Sequence, residues 1–142
     1  ILAGGCTFDS CMSFGLIRGG HVNATVLGAL EVDQEGNLAN WIIPGKKVPG
    51  MGGGMDLVAG ANQVIVTMEH CTKSGAPKIL KHCSLPLTAA HEVDYIVTEL
   101  CVLHYNGQGL VLEELAPGVT VEEVRAKTEA DLMIPDEIGC MV

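Results

Sequence analysis

Apolar and polar positions change their period several times along this chain, and each change marks an element. Ser10 to Ile17 places Phe14 and Ile17 as apolar anchors and is followed by Gly19-Gly20, which predicts a short helix ending there. Val22 to Val32 is rich in Val and Leu with polar Asn23 and Thr25 interleaved, which predicts a strand. After a turn at Asp33 to Gly36, Leu38 to Ile43 predicts a second extended segment. Met55 to Ala61 reads as a helix with Met55, Leu57 and Val58 on its apolar side and Gly60 and Asn62 as stop signals. Gln63 to Met68 carries the β-branched run Val64-Ile65-Val66, the pattern of a strand buried on both faces.

The second half continues the alternation. Val93 to Val102 predicts strand and short turn, and Asn106-Gly107 is a hairpin signal that pairs this region with Leu110 to Leu115. Thr120 and Glu123 form a capping-box pattern that opens a helix through Lys127. Ala130 to Ile134 closes the chain as a last strand before Pro135. Strands alternating with helices predict an α/β fold.

Composition narrows the class. The 142 residues suffice for one domain, 1–142, and a chain of this length buries roughly 70% of its unfolded surface. Hydrophobic residues make up 48% and aromatics only 4%, with 18 glycines, which suits an aliphatic core joined by tight turns. No apolar run approaches the ~20 residues of a membrane helix and no signal peptide opens the chain, so a cytoplasmic protein without membrane contact is expected. The formal charge of −9 argues against a nucleic-acid surface. Six cysteines show no Cys-x-x-Cys spacing, and reduced thiols without a metal site are the expectation, although His70-Cys71 and His82-Cys83 are the pairs to watch. Glu69, at the end of a predicted buried strand beside His70, is the carboxylate best placed for a supporting role; a surface ion pair is the plain alternative.

One segment carries chemistry. From Ile43 to Leu57 the chain reads Ile-Pro-Gly-Lys-Lys-Val-Pro-Gly-Met-Gly-Gly-Gly-Met-Asp-Leu, with Gly50, Gly52, Gly53 and Gly54 crowded just before a helix. Glycine lets backbone N–H groups approach a ligand, and a helix start favours negative charge by roughly 0.3–1 kcal/mol at an exposed site. Such a segment can hold a phosphate or an oxyanion, with Lys46, Lys47 and Arg18 as nearby cations; it can equally be a tight turn beside solvated charges. It is neither a Walker loop nor Gly-x-Gly-x-x-Gly, because Met55 takes the third glycine position.

An ordered set of peptides then points to a family. Phe8-Asp9-Ser10, Ile17-Arg18-Gly19-Gly20-His21, Leu38-Ala39-Asn40-Trp41, Ile43-Pro44-Gly45-Lys46, Gly50-Met51-Gly52-Gly53, Met55-Asp56-Leu57-Val58, Met68-Glu69-His70 and Leu85-Pro86-Leu87-Thr88 resemble the B subunit of 3-oxoacid CoA-transferases. That group includes the succinyl-CoA:3-ketoacid and the acetate or butyrate–acetoacetate CoA-transferases. The resemblance implies an open, mostly parallel sheet flanked by helices, in the CoA-transferase (isomerase-like) architecture. It implies coenzyme A thioester as substrate rather than a resident cofactor, a 3-oxo acid such as acetoacetate as the second substrate, and an A subunit as partner.

The implied mechanism begins with a glutamate that attacks the acyl-CoA and passes through a glutamyl-CoA thioester. That glutamate lies in a Ser-Glu-Asn-Gly segment upstream of the resembling region. No Glu-Asn-Gly occurs here, and Glu35-Gly36-Asn37 reads as a turn, so the expectation is a C-terminal portion of a B subunit, N-terminally truncated, whose missing part is a possible partner. By the resemblance Gly52 and Gly53 serve the oxyanion or coenzyme A, while Lys46, Lys47, Gly50, Met51, Gly54, Asn37 and Asn40 are candidates for binding it. Two other readings stay open: a non-catalytic CoA-binding or scaffold fragment, and a relative of the sugar-phosphate isomerases.

Overall fold

The architecture was read from a computed structural model, which describes residues 1–45, 50 and 52–142. The helices are α1 (Ser10–Arg18), α2 (Gly54–Gly60) and α3 (Val121–Lys127). The strands are β1 (Thr25–Gly28), β2 (Glu31–Asp33), β3 (Leu38–Ala39), β4 (Val64–Thr67), β5 (Ile79–Leu80), β6 (Tyr95–Val97), β7 (Cys101–Tyr105), β8 (Leu110–Leu115), β9 (Leu132–Met133) and β10 (Gly139–Cys140). No helix among the described residues is long and apolar enough to cross a membrane.

The main sheet runs β1-β4-β6-β7-β8-β10, with β9 also on β8. Its first three strands are parallel, in register Thr25↔Val64 and Ile65↔Tyr95. β6, β7 and β8 then pair antiparallel, and β9 and β10 add to β8 in parallel. The expected mostly parallel α/β sheet is therefore present, with α2 as the crossover that returns the chain to β4. The β7–β8 hairpin turns at Asn106, whose Oδ1 accepts the amides of Gln108 and Gly109 at 2.9 and 3.1 Å. Helix α3 starts as its capping pattern predicts, with Thr120 Oγ1 accepting the Glu123 amide at 3.2 Å.

Three expectations need correction. Val22 to Val32 is not one strand: it divides into β1 and β2, which belong to different sheets, because a second, three-stranded sheet β3-β2-β5 lies over the first. Inside β1 the burial phase is the reverse of the one suggested by polarity, with Thr25 7% exposed and Val26 63% exposed. Register explains this. Thr25 and Leu27 stand beside Val64 and Val66, on the face that β2, β3, β5, Val58 of α2 and Val124 of α3 cover, whereas Val26 stands beside Ile65 on the opposite face. For the same reason the Val64-Ile65-Val66 run is not buried on both faces, since Ile65 is only half-buried.

The extended segment from Leu38 stops at Ala39, and Ala130 to Ile134 is followed by a further strand, β10. Val32, Leu38, Ile79, Ile96, Leu103, Leu110, Leu112 and Val124 are fully buried in one continuous core between the two sheets and the helices.

Candidate functional site

The glycine segment arrives at the carboxyl end of β1, the position where open α/β sheets place their sites. Gly52 has φ 57°, in the left-handed region that glycine enters without strain. Gly53 caps α2 with φ −91°, and no side chain caps the helix. The glycine at 53 answers a packing need: a Cβ there would stand 2.5 Å from the Phe14 ring of α1. A Cβ at Gly60 would likewise stand 2.5 Å from the Ile17 carbonyl. The two helices thus run side by side in the same direction, with both starts at this end of the sheet.

First-turn amides of a helix have no acceptor within it, so Gly53, Gly54 and Met55 bring donors to this corner. Electrostatics there are mixed. Asp56, in the first turn of α2, opposes a bound anion, and Arg18 offsets it by donating from Nε to Asp56 Oδ1 at 2.7 Å. The same guanidinium lies over the Phe14 ring, 5.5 Å from its centroid. Arg18 is therefore engaged with the α2 start and not a free cation, and its hydrogen bond to Asp56 raises its pKa further. A groove of about 390 Å³ lined by Arg18, Met55, Asp56, Ala59 and Gly60 opens beside it.

Asn40 stands on the other flank. Its Nδ2 donates to the Gly28 carbonyl at 3.2 Å and its Oδ1 accepts the Thr88 hydroxyl at 2.6 Å. A Cβ at Gly54 would meet Asn40 Oδ1 and the Thr88 methyl at 3.8 Å each, an ordinary contact distance. So Gly52, Gly53, Gly54 and Asn40 do converge. Gly50 is exposed with φ 96°, while Lys46, Lys47 and Met51 lie outside the described residues.

Asn37 does not join them. Its Nδ2 donates to Asp33 Oδ2 at 3.0 Å and its Oδ1 accepts the His91 amide at 3.1 Å, which locks it into the β2–β3 turn. Asp33 is itself 1% exposed and also accepts the amides of Glu35 and Cys83 at 3.0 and 2.9 Å. Glu35-Gly36-Asn37 is thus the turn that the sequence suggested.

Glu69 and His70 divide differently from expectation. Glu69 is exposed, and no ion pair or hydrogen bond of its carboxylate occurs among the described residues. His70 is fully buried, and its amide donates to Glu99 Oε2 at 3.0 Å. Its Nε2 lies 2.8 Å from Thr128 Oγ1, and that hydroxyl gives its proton to the Val124 carbonyl at 2.7 Å. Nδ1 lies 3.0 Å from Thr98 Oγ1, a hydroxyl that also reaches the Cys101 carbonyl at 3.3 Å, so each ring nitrogen has a threonine partner. Burial lowers the His70 pKa, consistent with this neutral, fully partnered ring. It is a tie between sheet and α3 rather than a proton carrier at the glycine segment.

The cysteines are all free. Burial pushes the Cys101 thiol up to about 11, and burial together with Asp33 and Glu31 raises that of Cys83, so neither supplies a thiolate near neutral pH. Sequence reasoning missed Thr88 and the role of Phe14. Thr88 sits in the Leu85-Pro86-Leu87-Thr88 peptide of the resemblance, but nothing in its type announced a contact with Asn40, 48 residues earlier.

A glycine-led helix at the carboxyl edge of a mostly parallel α/β sheet lies where open α/β folds place their ligand sites. Residues 2–127 match the coenzyme A transferase family, and the chain belongs to that family. It is 63% identical over 137 residues to the beta subunit of the acetate CoA-transferase of Haemophilus influenzae, covering 96% of this chain and 61% of that protein. It is 49% identical to the B subunit of a probable succinyl-CoA:3-ketoacid coenzyme A transferase of Bacillus subtilis, covering 96% and 63%. An acyl-CoA transferase apoenzyme of Escherichia coli shares the fold at TM-score 0.85 and 24% identity, over all of this chain and 33% of that one. The chain thus spans about three fifths of the length of these two curated relatives.

Proposed function

We propose that the native protein carrying these residues transfers coenzyme A between a short-chain acyl-CoA and a carboxylic acid, with a 3-oxo acid such as acetoacetate as one partner. The observation that carries this reading is the match to the coenzyme A transferase family over nearly the whole chain, joined to a glycine segment at the carboxyl end of a parallel sheet. The transfer proceeds through a glutamyl-CoA thioester on a glutamate supplied outside these 142 residues. Each step builds negative charge on a former carbonyl oxygen, and a backbone donor at that oxygen lowers the barrier by about 3–4 kcal/mol. Gly52 and Gly53 take that task. Gly50 and Gly54 line the approach, the resemblance makes Lys46, Lys47 and Met51 candidates for binding coenzyme A, and an A subunit completes the site.

The test is a transfer assay on the native chain with its partner subunit, offering acetyl-, butyryl- or succinyl-CoA with acetate or acetoacetate. Acyl exchange that needs both subunits is expected. Hydrolysis alone, or turnover of a sugar phosphate instead, would overturn the reading.

A further inference from the structure

The glycine segment is held from two sides, and one of the two holds is a side-chain clasp. Opposite Phe14, Asn40 and Thr88 join three stretches of chain that meet at the end of β1. The Thr88 hydroxyl donates to Asn40 Oδ1 at 2.6 Å and accepts the Asn40 amide at 3.2 Å, while Asn40 Nδ2 donates to the Gly28 carbonyl at 3.2 Å. The backbone fixes Thr88 in turn, because its amide donates to the Leu38 carbonyl at 2.7 Å and the residue is 6% exposed. The first residue of α2, Gly54, faces this pair, and a Cβ added to it would come within 3.8 Å of Asn40 Oδ1 and of the Thr88 methyl.

The orientation of the clasp follows from its partners. A carbonyl only accepts, so the amide nitrogen of Asn40 must face Gly28, and its oxygen must face the Thr88 hydroxyl. Each polar side-chain atom of the pair thereby has a partner inside the protein. The glycines, by contrast, have little to hold them: a Cβ at Gly50 or Gly52 would meet nothing within 4 Å, and α2 has no side-chain cap.

We propose that Asn40 and Thr88 are positioning residues that set where Gly52 to Gly54 stand relative to the carboxyl end of β1, and so where the donors meet the acyl oxygen. This assignment rests on the CoA-transfer reading for its catalytic consequence, and on the clasp geometry alone for its structural one.

The variants are Thr88→Val, which keeps shape and removes the hydroxyl; Thr88→Ser, which restores it; and Asn40→Asp, which sets an acceptor against the Gly28 carbonyl. They are made in the native chain assembled with its partner subunit. Thr88→Val and Asn40→Asp are expected to lower kcat about 10- to 100-fold, the cost of a misplaced site. KM for the acyl-CoA should stay within about twofold, since only transition-state contacts are lost. Thr88→Ser recovers most of kcat. In Thr88→Val, amide exchange in α2, at Leu57 and Ala61, quickens while Val64 to Thr67 stay protected.

Unchanged kcat with unchanged exchange in α2 overturns the proposal, and so does a loss in Thr88→Val that Thr88→Ser fails to recover. Should Thr88→Val not fold, Asn40→Asp and Thr88→Ser carry the same contrast. If the unaltered protein transfers no coenzyme A, the functional reading fails, and the exchange measurement still decides whether the clasp holds the segment.

Discussion

Two regions beyond the carboxyl ends of the parallel strands are held by opposite means. Around His70, between the end of β4, the β6–β7 turn and the last turn of α3, the polar side chains of His70, Thr98 and Thr128 are buried and partnered, with the two threonines on the two ring nitrogens. Around the glycine segment, exposed Met12, Leu16 and Met55 surround a helix start that Phe14, Arg18, Asn40 and Thr88 steady. The first region ties the sheet to α3. The second gives up packing to keep backbone donors open, which is the usual trade of a site built on a scaffold.

Substitutions that exaggerate the contrast test it. Leu103→Ala, in the fully buried centre of the sheet, should cost about 2–5 kcal/mol in urea unfolding. It should leave the glycine-segment geometry of the folded fraction unchanged.

His70→Leu comes next, at about 1–3 kcal/mol, because it removes the buried hydrogen bonds of both ring nitrogens to Thr98 and Thr128. Its pH dependence is diagnostic. Burial holds the folded pKa below 6.5, so the unfolded chain takes up the proton first as pH falls. The stability due to the neutral ring is complete above pH 6.5 and is lost progressively below it. Unfolding curves on both sides of that pH should show a slope in the unaltered protein that His70→Leu flattens.

Adjacent glycines make the finest comparison. Gly53→Ala drives a methyl into the Phe14 ring and should cost about 1–3 kcal/mol, partly recovered by adding Phe14→Ala. Gly54→Ala meets only ordinary contacts within a helix and should change stability by less than about 1 kcal/mol, in the stabilising direction. Thermal unfolding of the three variants separates these outcomes.

Local signals in the sequence explain what was legible. Thr120 with Glu123, Asn106-Gly107 and Gly19-Gly20 each act within a few residues, and the elements they bound formed where expected. Val22 to Val32 misled because its division between two sheets is decided by β5 and β3, which pair with β2 from elsewhere in the chain. The phase of Thr25 and Val26 misled because burial depends on which face the second sheet covers.

The site was legible only in part for the same reason. Gly52 to Gly54 and Asn40 were marked by their peptides, but the contact of Gly53 with Phe14 and the clasp of Asn40 with Thr88 span 39 and 48 residues. Asn37 carried the same residue type as Asn40, and only the geometry of Asp33 distinguished a turn-forming amide from one at the glycine segment.

Intact mass measurement tests the central claim most directly, using the native chain with its partner subunit and an acyl-CoA in the absence of acceptor acid. The account predicts a covalent coenzyme A adduct on the chain that carries these residues, discharged when acetate or acetoacetate is added. An unmodified chain under conditions where the acyl-CoA binds, or an adduct that acceptor acid cannot discharge, would contradict it.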